Sequence, residues 1–189
     1  MTLADDRAEL ADALAARPNV TDRVADAIRA VPRHAFLDDD QRHAAYDDRP
    51  LEIGQGQTVS APHMVAIVAS VLDLREGEAV LEIGAGCGYH AAVTAELVGA
   101  ENVHSVEYVE SLAERARENL ASAGYGDVSV RVGDGRDGWP ERAPYDAAYL
   151  TCAAPSFPDA VVDQVRAGGR LVAPIGTDRQ RLVYAAKRE

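Results

Sequence analysis

Apolar residues first recur at a helical spacing in VADAIRAV. There Val24, Ala27, Ile28 and Val31 fall at i, i+3, i+4 and i+7 and share one face. Pro32 follows and stops the helix. A second apolar run predicts a helix from Ser60 to Leu74, with Met64, Ile67, Val68, Val71 and Leu72 on its buried side. Between the two lies GQGQTVSAPHM, Gly54 to Met64, polar and conformationally permissive, which reads as a loop. Ser60 stands where an N-cap is expected, with Pro62 in the first turn. The first ~60 residues thus predict two helices, a short acidic segment and this loop.

After the turn REGE the rhythm changes. AVLEI is a short buried strand, GAGCGY a glycine-rich turn and HAAVTAELV a helix. The strand NVHSVE follows, then the helix VESLAERARENLASAG, closed by Gly124, and a third strand, VSVRV. YDAAYLT is a fourth strand, PDAVVDQVRAGG a helix ending in glycine, and RLVAPIG and RLVYAA are two further strands. Strands alternating with helices predict a parallel sheet covered on both faces, a doubly wound α/β domain. We expect one domain over 1–189, with residues 1–60 as a helical appendage and 61–189 as the α/β core.

Composition narrows the partners. The net charge of −12 argues against nucleic acid, because phosphate contacts need clustered Lys and Arg. Lys187 is the chain's single lysine among 19 basic residues, set against 31 acids, a balance suited to a salt-rich cytoplasm or to a GC-rich genome. The acidic N-terminus lacks the apolar stretch of a signal peptide, and no run approaches the ~20 residues of a membrane span. Cys87 and Cys152, expected as small buried thiols, fit a reduced cytoplasm. The five histidines show no ligand spacing, so no metal is expected. Monomer is the default expectation.

Candidate chemistry gathers at the strand ends, where open α/β sheets bind ligands. Gly84, Gly86 and Gly88 form G-x-G-x-G after the first strand of the core, letting a ligand approach the backbone at a helix N-terminus. A dinucleotide fingerprint would have its third glycine where Tyr89 stands. Glu82 precedes the turn, Glu107 ends the next strand at about the ~20-residue offset of a ribose-binding acid, and Asp134 follows the third. Three carboxylates with no evident Lys or Arg for a pyrophosphate suit a ligand with ammonium, sulfonium and ribose hydroxyls, which describes S-adenosylmethionine. With their neighbours Ala85, Tyr108 and Gly135 these residues make up the expected cofactor set.

LEIGAGCGYHAAVTAEL, SVEY, VGDGRDGWPERAPYDAAYLTCAAP and RAGGRLVAPIG resemble the successive motifs of class I methyltransferases, a Rossmann-like fold. With VPRHAFL and AYDDRPLEIGQGQTVSAPHM in unbroken order, residues 20–186 resemble the protein-L-isoaspartate O-methyltransferases. The resemblance implies methyl transfer from S-adenosylmethionine to the α-carboxylate of isoaspartyl residues in damaged proteins. It also implies that Gln57, Thr58, Val59 and Ser60 contact the donor and that Ser60 is the catalytic serine. Cys87 replaces a frequent serine of that pattern, and relatives are expected to continue beyond RLVYAAKRE into a further strand and tail.

Such a reaction explains why no triad or paired-acid set is found. An α-carboxyl with a pKa of about 3.5 is ionised near neutrality and needs no general base. Alternatives at this level are a methyltransferase acting on a small molecule or RNA, a nicotinamide oxidoreductase, and a non-catalytic cofactor-binding module. Arg49 is read as a surface ion-pair residue more readily than as a substrate partner, and Trp139 as a packing anchor.

Overall fold

The computed structural model describes residues 2–188. The chain opens with α1 (Leu3–Ala15), where Thr2 and Asp5 form a reciprocal capping box, and α2 (Asp22–Ala30), capped by Thr21. Val24, Ala27, Ile28 and Val31 are all buried, as the spacing of VADAIRAV predicts. A 3-10 turn, Arg33–Phe36, then leads toward a two-stranded hairpin, β1 (Leu51–Gly54) and β2 (Gln57–Val59).

That hairpin occupies the segment read as loop. Gly54 pairs with Gln57, leaving Gln55 and Gly56 as its two central residues. Both have positive φ, 55° and 68°, as a type I′ turn requires. The segment is therefore polar at its tip and ordered by strand pairing.

α3 (Pro62–Leu72) starts later than expected, with Ala61 at the N-cap and no side chain capping it from within the segment. Asp48 caps it from a distance: its Oδ1 accepts both the His63 backbone N–H and the His63 ring Nδ1, each at 2.9 Å. The buried face carries Val65, Ala66, Val68, Ala69 and Leu72, whereas Val71 is exposed. In so continuous an apolar run, composition does not distinguish the faces; the neighbouring helices and sheet do.

The core alternates as expected: β3 (Val80–Ile83), α4 (Tyr89–Val98), β4 (Val103–Glu107), α5 (Glu110–Ser122), β5 (Ser129–Val132) and β6 (Tyr145–Leu150). It ends with α6 (Asp159–Gln164), β7 (Val165–Ile175) and β8 (Arg181–Ala186). The sheet runs β5-β4-β3-β6-β7-β8, parallel except for the last pair. The doubly wound, mostly parallel α/β expectation, with a helical N-terminal appendage, agrees with this architecture. Gly124 closes α5 with φ 93°, and Tyr125 N–H reaches back to the Leu120 carbonyl.

The helix predicted through Gly169 is shorter. Val165 leaves α6 to pair with Tyr145 across an irregular register, and Lys187 Nζ takes the carbonyls of Val162, Asp163 and Val165. One cation thereby satisfies the end of the helix from the neighbouring strand.

The chain leaves β3 toward β4 on one side and returns to β6 on the other. This reversal is the topological switch point, and it opens a crevice above the carboxyl ends of β3 and β6.

Candidate active site

At the end of β3, Gly84 takes φ 98° and donates its N–H to Val106 at 2.8 Å. Thr151, just past β6, donates its hydroxyl to the Gly84 carbonyl at 2.7 Å and lies where a Cβ on Gly84 would project. Gly86 donates its N–H to Glu107 Oε2 at 2.9 Å. Gly88, the N-cap of α4, has another reason to be glycine: a Cβ there would run into Leu120 and the Ala116 carbonyl of α5. It seats one helix on the other and does not line the crevice.

The three acids separate. Glu107 is buried to 6% exposure, and its Oε1 also accepts the Val109 N–H at 3.0 Å. An ionised carboxylate offers about four acceptor sites, so each oxygen keeps one for a hydroxyl of a bound ribose. Asp134 reaches the crevice, but Arg136 engages it through Nη2 at 2.6 Å and the backbone N–H at 2.9 Å. These hydrogen bonds bring the Asp134 carboxyl down to about 2. An arginine therefore does stand at the crevice, contrary to expectation, with its charge engaged by Asp134.

The side chain of Glu82, expected among the cofactor contacts, is fully buried and does not line the crevice. Strand register places it between Ser105 and Tyr149, on the sheet face that α4 covers. It accepts the Ser105 hydroxyl at 2.5 Å and the Tyr149 hydroxyl at 2.9 Å. Complete burial, opposed by these two hydrogen bonds, pushes its carboxyl up to about 8. Beside it His90 is also buried, its ring 4.4 Å from that of Tyr149, and loss of solvation lowers its pKa to about 3.

The facing wall is the hairpin. Ser60 follows β2 directly, and among the described residues its hydroxyl has no hydrogen-bond partner, so the expected N-cap role gives way to an open position on the crevice. Its carbonyl accepts Arg33 Nη2 at 3.2 Å. Glycine turn, Glu107, Asp134 and hairpin together enclose a cavity of about 780 Å³, within the range of small-molecule sites. Ile53, Ile83, Leu112, Leu150 and Phe157 supply apolar walls.

The family model described as protein-L-isoaspartate(D-aspartate) O-methyltransferase matches residues 5–189. The chain belongs to this family. Protein-L-isoaspartate O-methyltransferase 2 of Archaeoglobus fulgidus is 52% identical over 184 residues, covering 97% of this chain and 84% of that protein. Protein-L-isoaspartate O-methyltransferase 1 of the same organism is 51% identical over 190 residues, covering 100% and 88%. A solved protein-L-isoaspartate O-methyltransferase superposes with a TM-score of 0.89 at 33% identity; it covers 97% of this chain, which spans 60% of that one. A Plasmodium falciparum structure in complex with S-adenosyl-L-homocysteine shares the fold, with a TM-score of 0.85 at 24% identity over 97% of this chain and 90% of that one.

In this member of the isoaspartate methyltransferase family, Gln57, Thr58, Val59, Ser60, Gly84, Ala85, Gly86, Glu107, Tyr108, Asp134 and Gly135 come together around one cavity. Glu82 and Gly88 lie outside it. The loop from Thr151 to Asp159 was missed as a wall, although its place after a central strand is the signal that marks such loops. Cys87 is buried as expected, but Cys152 is exposed, because that loop leaves the sheet at the cavity mouth. Arg49 pairs with Asp47 at 3.1 Å, away from the cavity. Trp139 packs edge-on against His104 with its ring flanked by Arg131 and Arg142.

Proposed function

We propose that the chain repairs damaged proteins by methylating the α-carboxylate of L-isoaspartyl residues with S-adenosylmethionine. The observation that carries this reading is the juxtaposition, across one cavity, of the glycine turn with Glu107 and the hairpin wall with Ser60. The residues fit the cofactor: Gly84 to Gly86 present backbone rather than side chain, and Glu107 keeps acceptor positions for a diol. S-adenosylmethionine, when bound, supplies an electrophilic methyl group on a sulfonium.

The protein's part is placement. An ionised α-carboxylate is already the nucleophile, so a strong base would add nothing; orientation to within ~3 to 3.5 Å of the methyl carbon is what is needed. In our reading Ser60 donates its hydroxyl to the carboxylate oxygen that does not attack, while Thr58 and Val59 form the wall against the donor. Gln57, Thr58 and Val59 lie on β2, so the hairpin aligns them with Ser60. Tyr108, Asp134 and Gly135 also line the cavity, and in our reading they contact the donor.

The same proposal places the enzyme as a monomer in a reduced, salt-rich cytoplasm, away from nucleic acid and membrane. The net charge of −12 and two free cysteines support it. Incubation with labelled donor and an isoaspartyl peptide beside its aspartyl twin tests the activity. Base-labile label on the isoaspartyl peptide alone is expected; label on both peptides, or on neither, defeats the reading.

A further inference from the structure

Arg33 is fully buried, yet among the described residues no carboxylate pairs with it. Nη1 donates to the carbonyls of Ala45 at 2.8 Å and Asp47 at 3.3 Å, and Nη2 to those of Arg49 and Ser60, each at 3.2 Å. Its guanidinium carbon stands 5.5 Å from the centre of the Tyr89 ring. Burying a cation without a counter-charge is expensive, and an apolar side chain of like volume would serve packing at lower cost. The planar fork is suited to holding several carbonyls at fixed angles, which a lysine ammonium cannot reproduce.

The partners come from two parts of the chain, and Ser60 and Tyr89 among them line the cavity. Ala45, Asp47 and Arg49 lead into the hairpin and Ser60 leaves it, whereas Tyr89 is the first residue of α4, directly after the glycine turn. We infer that Arg33 is a positioning residue for methyl transfer, setting the separation between the Ser60 wall and the glycine turn. This rests on the proposed reaction, in which the Ser60 wall meets the acceptor and the glycine turn the donor. A displacement of about 1 Å between such walls can cost about 100-fold in turnover.

The experiment compares wild type, Arg33→Lys and a control, Val24→Ala, which thins the core of the same appendage. Wild type is first shown to methylate the isoaspartyl peptide; if it does not, the functional reading has failed, independently of Arg33. Arg33→Lys is expected to lower kcat about 100-fold. Affinity for S-adenosylhomocysteine should fall far less than kcat, because Glu107 and the glycine turn are untouched and only the hairpin side of the donor site is loosened. Amides of residues 51–60 should exchange faster and those of 84–88 at the wild-type rate. The control should lower Tm by a comparable amount and keep its turnover. Ethylguanidinium added to Arg33→Ala should restore part of the lost rate. Wild-type kcat in Arg33→Lys, or a loss no larger than that of a control of equal Tm, overturns the proposal. Should Arg33→Lys not fold, Arg33→Gln is measured by the same criteria.

Discussion

The Thr151 hydroxyl fills the place where a side chain on Gly84 would project, and from there it holds the Gly84 carbonyl at 2.7 Å. Gly84→Ala therefore meets two penalties, a collision with Thr151 and a φ of 98° that L-residues rarely adopt. It should abolish binding of S-adenosylhomocysteine. Thr151→Ala, which leaves the Gly84 carbonyl short of a donor, should cost about 1 to 3 kcal/mol of stability. Because the residues contact one another, the double variant should lose less than the sum of the two. Calorimetric binding and thermal melts of the four proteins decide the matter, and strict additivity would contradict the contact.

Glu107 joins Gly86 to the start of α5 by accepting one N–H on each oxygen. Glu107→Gln replaces one acceptor with an NH2 group that must face a backbone donor. At about 1.5 to 3 kcal/mol for a hydrogen bond to a charged group, donor affinity should fall roughly 10- to 100-fold. The KM for an isoaspartyl peptide at saturating donor should stay near wild type. Titration with S-adenosylhomocysteine checks the first value and steady-state kinetics the second. Equal loss in both would mean that Glu107 shapes the whole cavity and has no specific role on the donor side.

Glu82 links stability to pH. Its carboxyl is pushed by burial from an ordinary 4.5 up to about 8. Between those values the unfolded chain has released a proton that the native state keeps. The native state binds more protons, so stability falls as pH rises through this window. The stabilisation is complete below pH 4.5 and gone above about 8. Glu82→Gln keeps the shape and removes the titration, so its Tm should decline less between pH 5 and 8 than that of wild type. Parallel melting curves across that range would show Glu82 to be ionised in the folded protein.

Residues whose role is local were legible in the sequence. The i, i+3, i+4 spacing of α2 marks its buried face, and Gly84 and Glu107 sit at strand ends where an open α/β sheet places its ligand. Glu82 was not legible, because a strand buried on both faces has no alternation to reveal which side an acid takes. The hairpin carried a signal that went unread: Gln-Gly flanked by LEIG and QTV, four- and three-residue strands around a tight turn. Arg33 had none. Arginine is ordinarily exposed, and only the convergence of four carbonyls from later in the chain makes this one interior. The Val165 boundary likewise depends on Lys187, 22 residues downstream.

Asp48 takes the capping role that the sequence assigned to Ser60, for which the proposed role in the reaction remains. Asp48 accepts the first-turn N–H of His63, while Ser60, whose hydroxyl has no hydrogen-bond partner among the described residues, lines the cavity. Asp48→Ala removes a helix cap and the ion pair with Arg17, and should cost about 1 kcal/mol or somewhat more. Ser60→Ala removes no cap and should leave Tm within a degree or so of wild type, because its effect on folding is that of an ordinary surface substitution. Its turnover on the isoaspartyl peptide should nonetheless fall by about tenfold or more, the loss of one hydrogen bond to a charged oxygen. On the proposed reading, in which the hydroxyl serves the acceptor, donor affinity should change little. Melts, donor titrations and initial rates on both variants separate the effects. If Ser60→Ala melts early and turns over normally once folded, Ser60 belongs to the helix and has no part in the reaction.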